Sequence, residues 1–152
     1  MSAQPKGYHA LPAFTADGLL PSGVHSCDLA EFEAAFVWSA RRHQIYDKMR
    51  HGLGVLYDSG YRLIVIGGDF ISATATPTEF KALYDCDPVP IESLDARLSY
   101  FDRNSRFFAR KEWGGHFFPA SFRAKGTGAT WLQYLSADAA EGQRGLVGLS
   151  LV

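Results

Sequence analysis

Residues 61–86 read YRLIVIGGDFISATATPTEFKALYDC, and this stretch decides the fold. The near-continuous apolar run at residues 61–66 predicts a strand that is buried on both faces. Gly67 and Gly68 then allow the chain to turn sharply out of that strand. Residues 79–86 predict a second strand. The stretch is therefore expected to form two neighbouring strands joined by a loop that begins with two glycines.

Helical patterns precede this unit along the chain. Apolar residues at helical spacing predict a first helix over residues 29–37, which Ser26 or Asp28 can cap with Glu31 near its start. A second helix is predicted over residues 39–57. Later elements are two helices, at 91–101 and 131–135, and three strands, at 107–108, 116–118 and 145–152. This order predicts an α/β (α+β) fold with a mixed central sheet flanked by helices.

The first 25 residues differ from the rest in composition. Proline and glycine recur through them, at Pro5, Gly7, Pro12, Gly18, Pro21 and Gly23. This pattern indicates an extended arm with turns. Its apolar residues are expected to dock it on the body, and they are Leu11, Phe14, Leu19 and Leu20. The predicted organisation is an N-terminal arm at 1–25 and one domain at 26–152.

Composition and charge exclude several classes of protein. The chain has 152 residues, 47% of them apolar, and a net charge of −1, which is typical of one folded domain with no general attraction to nucleic acid or membranes. Two cysteines, Cys27 and Cys86, lack the spacing of a metal site. They favour a reduced, cytoplasmic protein with free thiols. No signal peptide and no membrane span is predicted.

The strand, glycine turn and second strand resemble the nucleotidyltransferase superfamily, which includes polymerase-beta-like and minimal nucleotidyltransferases. In that fold a Gly-Ser turn follows the first strand, and an Asp-x-Asp pair lies on the next. The wider chain is similar to a bacterial family of nucleotidyltransferase-like proteins. The segments that carry this similarity are PAFTADGLLPSGVH (12–25), GGDFISATATPTEF (67–80), KEWGGHFFP (111–119), WLQYLSAD (131–138) and GLVGLSLV (145–152).

The resemblance assigns site positions that this sequence fills unusually. Gly68 takes the place of the turn glycine, and Asp69 stands where a serine is usual. Glu79 takes the place of the first acid of the pair, and Lys81 that of the second. His116 lies near the place of a third acid on a later strand. Only one of the three carboxylate positions therefore carries a carboxylate.

These replacements matter because nucleotidyl transfer depends on two divalent metal ions. Alternate residues of a strand lie on one face, roughly 6.6 Å apart along it, so an Asp-x-Asp pair supplies two oxygen ligands to one spot. An ammonium about 4 Å from a divalent ion would be repelled by about 8 kcal/mol at an effective dielectric constant near 20. We therefore expect no metal, no other cofactor, and a direct ion pair from Lys81 to Glu79 or Asp69.

The resemblance implies a catalytically degenerate nucleotidyltransferase-like protein that acts by binding another protein. An antitoxin, immunity or regulatory role in a defence or mobile-element module is the expected setting, with a toxin or defence protein as partner. The N-terminal arm is expected to contact that partner or a second copy of the chain.

Two alternatives involve nucleotides. The first is an active, metal-dependent nucleotidyltransferase whose rearranged site consists of Asp69, Glu79 and His116, with Mg²⁺ or Mn²⁺ and a nucleoside triphosphate. The second is a nucleotide-binding sensor without turnover, in which Lys81 contacts phosphate. In both, the backbone amides of Gly67, Gly68 and Asp69 would face the phosphates.

Simpler interpretations remain open for the same residues. Gly67 and Gly68 can serve only to turn the chain. His116, among apolar neighbours, can be an ordinary core or surface residue. A further Asp-x-Asp, at Asp85 and Asp87, can cap a turn or form a shifted metal site.

Overall fold

A computed structural model describes residues 11–84, 111–119 and 145–151 of the chain. Within these ranges the elements are β1 (Val24–Cys27), α1 (Leu29–Phe36), α2 (Ala40–Asp58), β2 (Leu63–Gly67), β3 (Phe80–Tyr84), β4 (Gly115–Pro119) and β5 (Leu146–Ser150), with a short 3₁₀ turn at Asp69–Ile71. The predicted mixture of helices and strands is confirmed. The predictions for 91–101, 107–108 and 131–135, and those for Asp85, Cys86 and Asp87, lie outside the described residues.

The five strands form one mixed sheet in the order β1-β5-β2-β3-β4. Strand β2 is antiparallel to both of its neighbours, β5 and β3. The outer pairs, β1 with β5 and β3 with β4, are parallel. The unit predicted from residues 61–86 is therefore an antiparallel pair, and its first strand, β2, is the central strand of the described sheet.

Both predicted helices form, and each begins at a capping residue. Asp28 caps α1 with a capping box, since its Oδ1 accepts from the backbone N–H of Glu31 at 2.8 Å and the Glu31 Oε1 accepts from the backbone N–H of Asp28 at 2.8 Å. Ser39 caps α2, and its Oγ accepts from the backbone N–H of Arg42 at 3.2 Å. Local capping signals thus set the start of both helices.

The main hydrophobic core lies between these helices and one face of the sheet. Side chains that alternate along neighbouring strands and pair in register supply that face, including Cys27, Leu149 and Ile64, and also Val147, Ile66, Ala82 and Phe117. From the helices come Phe32, Phe36, Ile45, Met49, Leu53 and Leu56. Gly52 lets α2 approach β4 closely, because a Cβ atom there would lie 2.4 Å from the Phe117 ring.

The opposite face of the sheet is partly exposed, which corrects one prediction. Leu63 of β2 is 59% exposed and Val24 of β1 is 54% exposed, and their register with β5 places them on the face opposite the core. Burial of the 61–66 run on both faces was therefore wrong at Leu63. The run is apolar because its alternate residues pack in the core. The part of the opposite face around Leu63 and Val24 is accessible to solvent.

The described part of the N-terminal arm is attached to the body. Leu20 is buried, and Leu11 and Phe14 pack against the core. The Gly145 N–H donates to the carbonyl of Leu20 at 3.2 Å. Strand β1 was not predicted, and it begins at Val24, inside the expected arm. Docking of the arm through apolar side chains is thus confirmed for Leu11, Phe14 and Leu20.

Candidate functional site

The glycine turn lies at the end of β2. Gly68 has φ of +91°, a region that favours glycine over residues with a side chain. Gly67 pairs in register with Lys81 of β3. A Cβ atom on Gly68 would lie 3.6 Å from the backbone nitrogen of Lys81 and 3.8 Å from its Cγ. The stem of Lys81 therefore lies directly beside the turn.

Glu79 and His116 are in close contact next to Lys81. His116 of β4 pairs in parallel register with Lys81 of β3, so their side chains lie on the same face. The Nε2 atom of His116 is 3.3 Å from the Oε1 atom of Glu79, and both side chains are largely buried. The Nδ1 atom of His116 is buried and has no hydrogen-bond partner within the described part of the chain. The structure thus brings together three of the predicted site residues, Glu79, Lys81 and His116.

The expected ion pair of Lys81 with Glu79 or Asp69 is not found among the described residues. Glu79 instead contacts His116. Glu79 precedes the first residue of β3, so the strand ladder does not fix its orientation, and its carboxylate turns toward β4. The prediction was wrong about which side chain meets the carboxylate, although all three positions share one region of the sheet.

Asp69 is used to close the loop that follows the glycine turn. Its Oδ2 atom lies 3.4 Å from the backbone N–H of Thr78, which donates to it, and its backbone carbonyl accepts from the Ser72 hydroxyl at 2.7 Å. The first contact ties the loop to the segment just before β3, and the second closes the local turn from Asp69 to Ser72. Asp69 therefore acts within the loop between β2 and β3, apart from the pair formed by Glu79 and His116.

Arg42, which was not among the expected site residues, organises the same loop. Its side chain is completely buried. The guanidinium donates to the carbonyl oxygens of Phe36 at 2.9 Å, Phe70 at 2.5 Å, Ser72 at 2.6 Å and Thr74 at 2.8 Å. One planar cation thus joins the end of α1 to three carbonyls of the loop.

Burial lowers the pKa of Arg42, and the negative charge of Asp69 partly opposes that change. A signal for this role was present in the sequence. Arg42 lies three residues before Ile45 and seven before Met49, on the stripe of α2 that faces the core. A charged residue on such a stripe indicates a buried group that requires hydrogen-bond acceptors.

The donor set does not fit a divalent metal ion. Among residues 11–84, 111–119 and 145–151, no three side chains of histidine, cysteine, aspartate or glutamate gather closely enough to hold one. Asp69 contacts Thr78 instead of joining Glu79 and His116. Lys81 contributes a positive charge to the same face, which opposes a cation.

Comparisons with known proteins place the chain in a family. Within the described residues, no helix has the length and apolar character needed to cross a membrane. No curated protein and no solved structure is significantly similar to the chain. The model of the "Family of unknown function (DUF6932)" matches residues 12–150, which include every described strand and both helices. The chain therefore belongs to the DUF6932 family.

Proposed function

We propose that this protein is a nucleotidyltransferase-like domain that has lost its metal site and acts in the cytoplasm by binding another protein. The observation that carries the proposal is the contact between Glu79 and His116 beside Lys81. The one carboxylate left at the expected acid positions is engaged by an imidazole, and a lysine stands at the second position. These three side chains favour an internal contact over a cation site.

The order and direction of three strands support the nucleotidyltransferase-like part of the proposal. Strand β2 runs into the glycine turn, β3 returns antiparallel to it, and β4 lies parallel to β3. The three positions assigned by resemblance, Gly68, Lys81 and His116, lie side by side across these strands. A nucleotidyltransferase with this strand pattern would carry its catalytic groups at these three positions. The different residue types found there support the proposal that the metal site has been lost.

Binding of a protein partner is supported by the exposed apolar side chains of the same sheet face. Val24 and Leu63 are each more than half exposed, and they flank Gly148 of β5. Exposed apolar groups that lie together are common at protein interfaces. The proposed partner is a toxin or defence protein, which this chain would restrain as an antitoxin, immunity protein or regulator.

The first experiment asks whether the site binds nucleotides or metals. Calorimetry is carried out with ATP, GTP, CTP and UTP, each with and without Mg²⁺ or Mn²⁺. We expect that adding the metal ion produces no nucleotide binding and that no pyrophosphate is released. Release of pyrophosphate that requires a divalent metal and is lost in Glu79→Gln would contradict the proposal. It would favour instead an active enzyme with a rearranged site.

The second experiment tests protein binding directly. The chain is co-expressed with the product of each neighbouring gene, and complexes are separated by size exclusion with light scattering. We expect a stable complex with one of them, and Leu63→Glu should weaken it, whereas Arg50→Glu on the far helix should not. Failure of every neighbouring product to bind, with the chain folded, argues against the antitoxin or immunity role.

A nucleotide-binding sensor is the second candidate, and the position of Lys81 favours it. Lys81 forms no ion pair with a described carboxylate, and its stem lies beside the Gly68 turn. A phosphate held by the turn could therefore meet the ammonium. This candidate predicts metal-independent nucleotide binding that Lys81→Ala abolishes and Arg50→Ala preserves.

A further inference from the structure

Two of the pockets that described residues line lie beside α2, and the charges of their linings differ. The first, of about 500 Å³, lies between α1 and α2 and is lined by side chains of both signs, including Glu33, Asp47 and Arg50. The hydroxyl of Tyr46 donates to the Glu33 Oε2 at 2.8 Å within it. Because its charges offset one another, this groove has no clear preference for a charged ligand.

The second pocket, of about 380 Å³, carries charge of one sign only among the described residues that line it. Its lining residues are Arg41, Gln44, Ile45, Lys48, Thr78, Lys111 and Gly114. Three of these are cations, and none of them is aspartate or glutamate. The whole chain has a net charge of −1, so three cations around one pocket are a local concentration of positive charge. We call this the basic pocket.

The fold fixes the side of the basic pocket formed by Arg41. The Nε and Nη2 atoms of Arg41 donate to the backbone carbonyls of Pro77 at 3.1 Å and Thr78 at 3.2 Å. These bonds hold the guanidinium plane against the segment that leads into β3. Its Nη1 group makes no hydrogen bond to the described residues, so it remains available to a ligand.

The opposite side of the basic pocket is brought in by a close approach of the chain to α2. Gly114 has φ of +80°. A Cβ atom there would lie 2.9 Å from the backbone oxygen of Ile45 and 3.4 Å from the Cβ of Lys48. This approach places the residues around Lys111 against the helix that carries Lys48. The packing of the backbone against α2 therefore brings the three cations to one pocket, so their proximity does not depend on side-chain conformation alone.

We infer that the basic pocket binds a phosphoryl group, of inorganic pyrophosphate or of a phosphorylated nucleotide or nucleic-acid end. Three like charges close together repel one another, and a polyvalent anion relieves that repulsion. A guanidinium and two ammonium groups are the donors that bind phosphate oxygens best. The inference concerns a different site from the proposed function.

The two sites lie on opposite faces of the sheet. Gly52 of α2 packs against Phe117 of β4, so the helix lies on the Phe117 side. His116 precedes Phe117 in the same strand and therefore points to the other side, toward Glu79. Anion binding at the pocket can thus succeed or fail independently of what Glu79, Lys81 and His116 do.

Calorimetric titration of the full chain with pyrophosphate tests the inference. We expect saturable binding that weakens as salt rises, and the double variant Lys48→Gln with Lys111→Gln should weaken it by about tenfold or more. Arg50→Gln removes a cation of the same helix that lines the other groove, and it should leave affinity unchanged. Lys81→Ala should also leave it unchanged, which separates this site from the nucleotide-sensor candidate.

Two further ligands identify the source of the phosphoryl group. Equal affinity for ATP and pyrophosphate means that only phosphate is bound, whereas tighter binding of a 5′-phosphorylated oligonucleotide than of its unphosphorylated form identifies a nucleic-acid end. The absence of saturable pyrophosphate binding to the native chain would overturn the inference. Equal binding by the native chain and the folded double lysine variant would overturn it as well.

Discussion

The Nε2 atom of His116, in β4, lies 3.3 Å from the Oε1 atom of Glu79, the residue just before β3. The contact joins two neighbouring parallel strands at the place where the resemblance expects carboxylates to gather. It also leaves Lys81, in register with His116, without a described carboxylate partner. The site is thus described better as an acid–imidazole pair beside a lysine than as the lysine–carboxylate pair expected from the sequence.

This arrangement predicts that a metal site can be introduced at these positions. Because Lys81 and His116 are register partners on one face, Lys81→Asp with His116→Asp should place two carboxylates beside Glu79. We expect the double variant to bind Mn²⁺, measured by the loss of the free-ion signal in electron paramagnetic resonance. Lys81→Ala with His116→Ala is the matched control and should bind none. A folded double aspartate variant that takes up no Mn²⁺ would show that the three positions do not converge.

The buried guanidinium of Arg42 predicts a large effect on stability. Arg42→Met keeps an apolar stem of similar length but leaves carbonyls of Phe36, Phe70 and Ser72 without their donor. We expect the free energy of unfolding to fall by roughly 3 kcal/mol or more, measured by urea denaturation. Arg50→Met, at an exposed position of the same helix, should change it by less than about 0.5 kcal/mol. Similar losses in the two variants would contradict a special role for Arg42.

Two glycines of α2 predict changes of opposite sign. Gly52→Ala would place a methyl group 2.4 Å from the Phe117 ring, which overpacks the contact between α2 and β4 and should cost about 1–3 kcal/mol. Gly54→Ala meets no atom within 4 Å and improves helix propensity, so it should stabilise the protein by up to about 1 kcal/mol. Thermal unfolding of both variants checks the pair. A stable Gly52→Ala variant would mean that α2 does not lie against β4 as described.

Cys27 is predicted to react slowly while the protein is folded. Burial, with smaller contributions from Glu31 and Asp28, raises the pKa of its thiol from 9.0 to about 12. At pH 8 the thiolate fraction should therefore be roughly a thousandfold lower than in the unfolded chain, and alkylation by iodoacetamide correspondingly slower. The unfolded chain ionises first as pH rises, so this thiol should also lower stability progressively between pH 9 and 12.

A Cys86→Ser background isolates the behaviour of Cys27. Mass spectrometry then follows a single thiol with time, with and without urea. Rapid alkylation of the native protein at pH 8, at the rate measured in urea, would show that the side chain is accessible.

Elements with strong local signals could be predicted from the sequence. Asp28 with Glu31 and Ser39 mark the starts of α1 and α2 because capping depends on residues only three positions apart. Strands β2, β3 and β5 follow from apolar runs, and the turn follows from the glycines. Strand β1 was missed because Val24–Cys27 has no apolar pattern of its own and is held by pairing with β5, far along the chain.

By itself, the sequence determined where α1 and α2 begin, that β2, β3 and β5 are strands, and which residue types stand at the positions where the resemblance expects acids. Only the tertiary structure decided that Glu79 meets His116, that Arg42 holds the loop after the glycine turn, and that Arg41, Lys48 and Lys111 surround one pocket. The reason is physical: helix caps and turns depend on neighbours a few residues apart, whereas these contacts join residues that only sheet register and helix packing bring together.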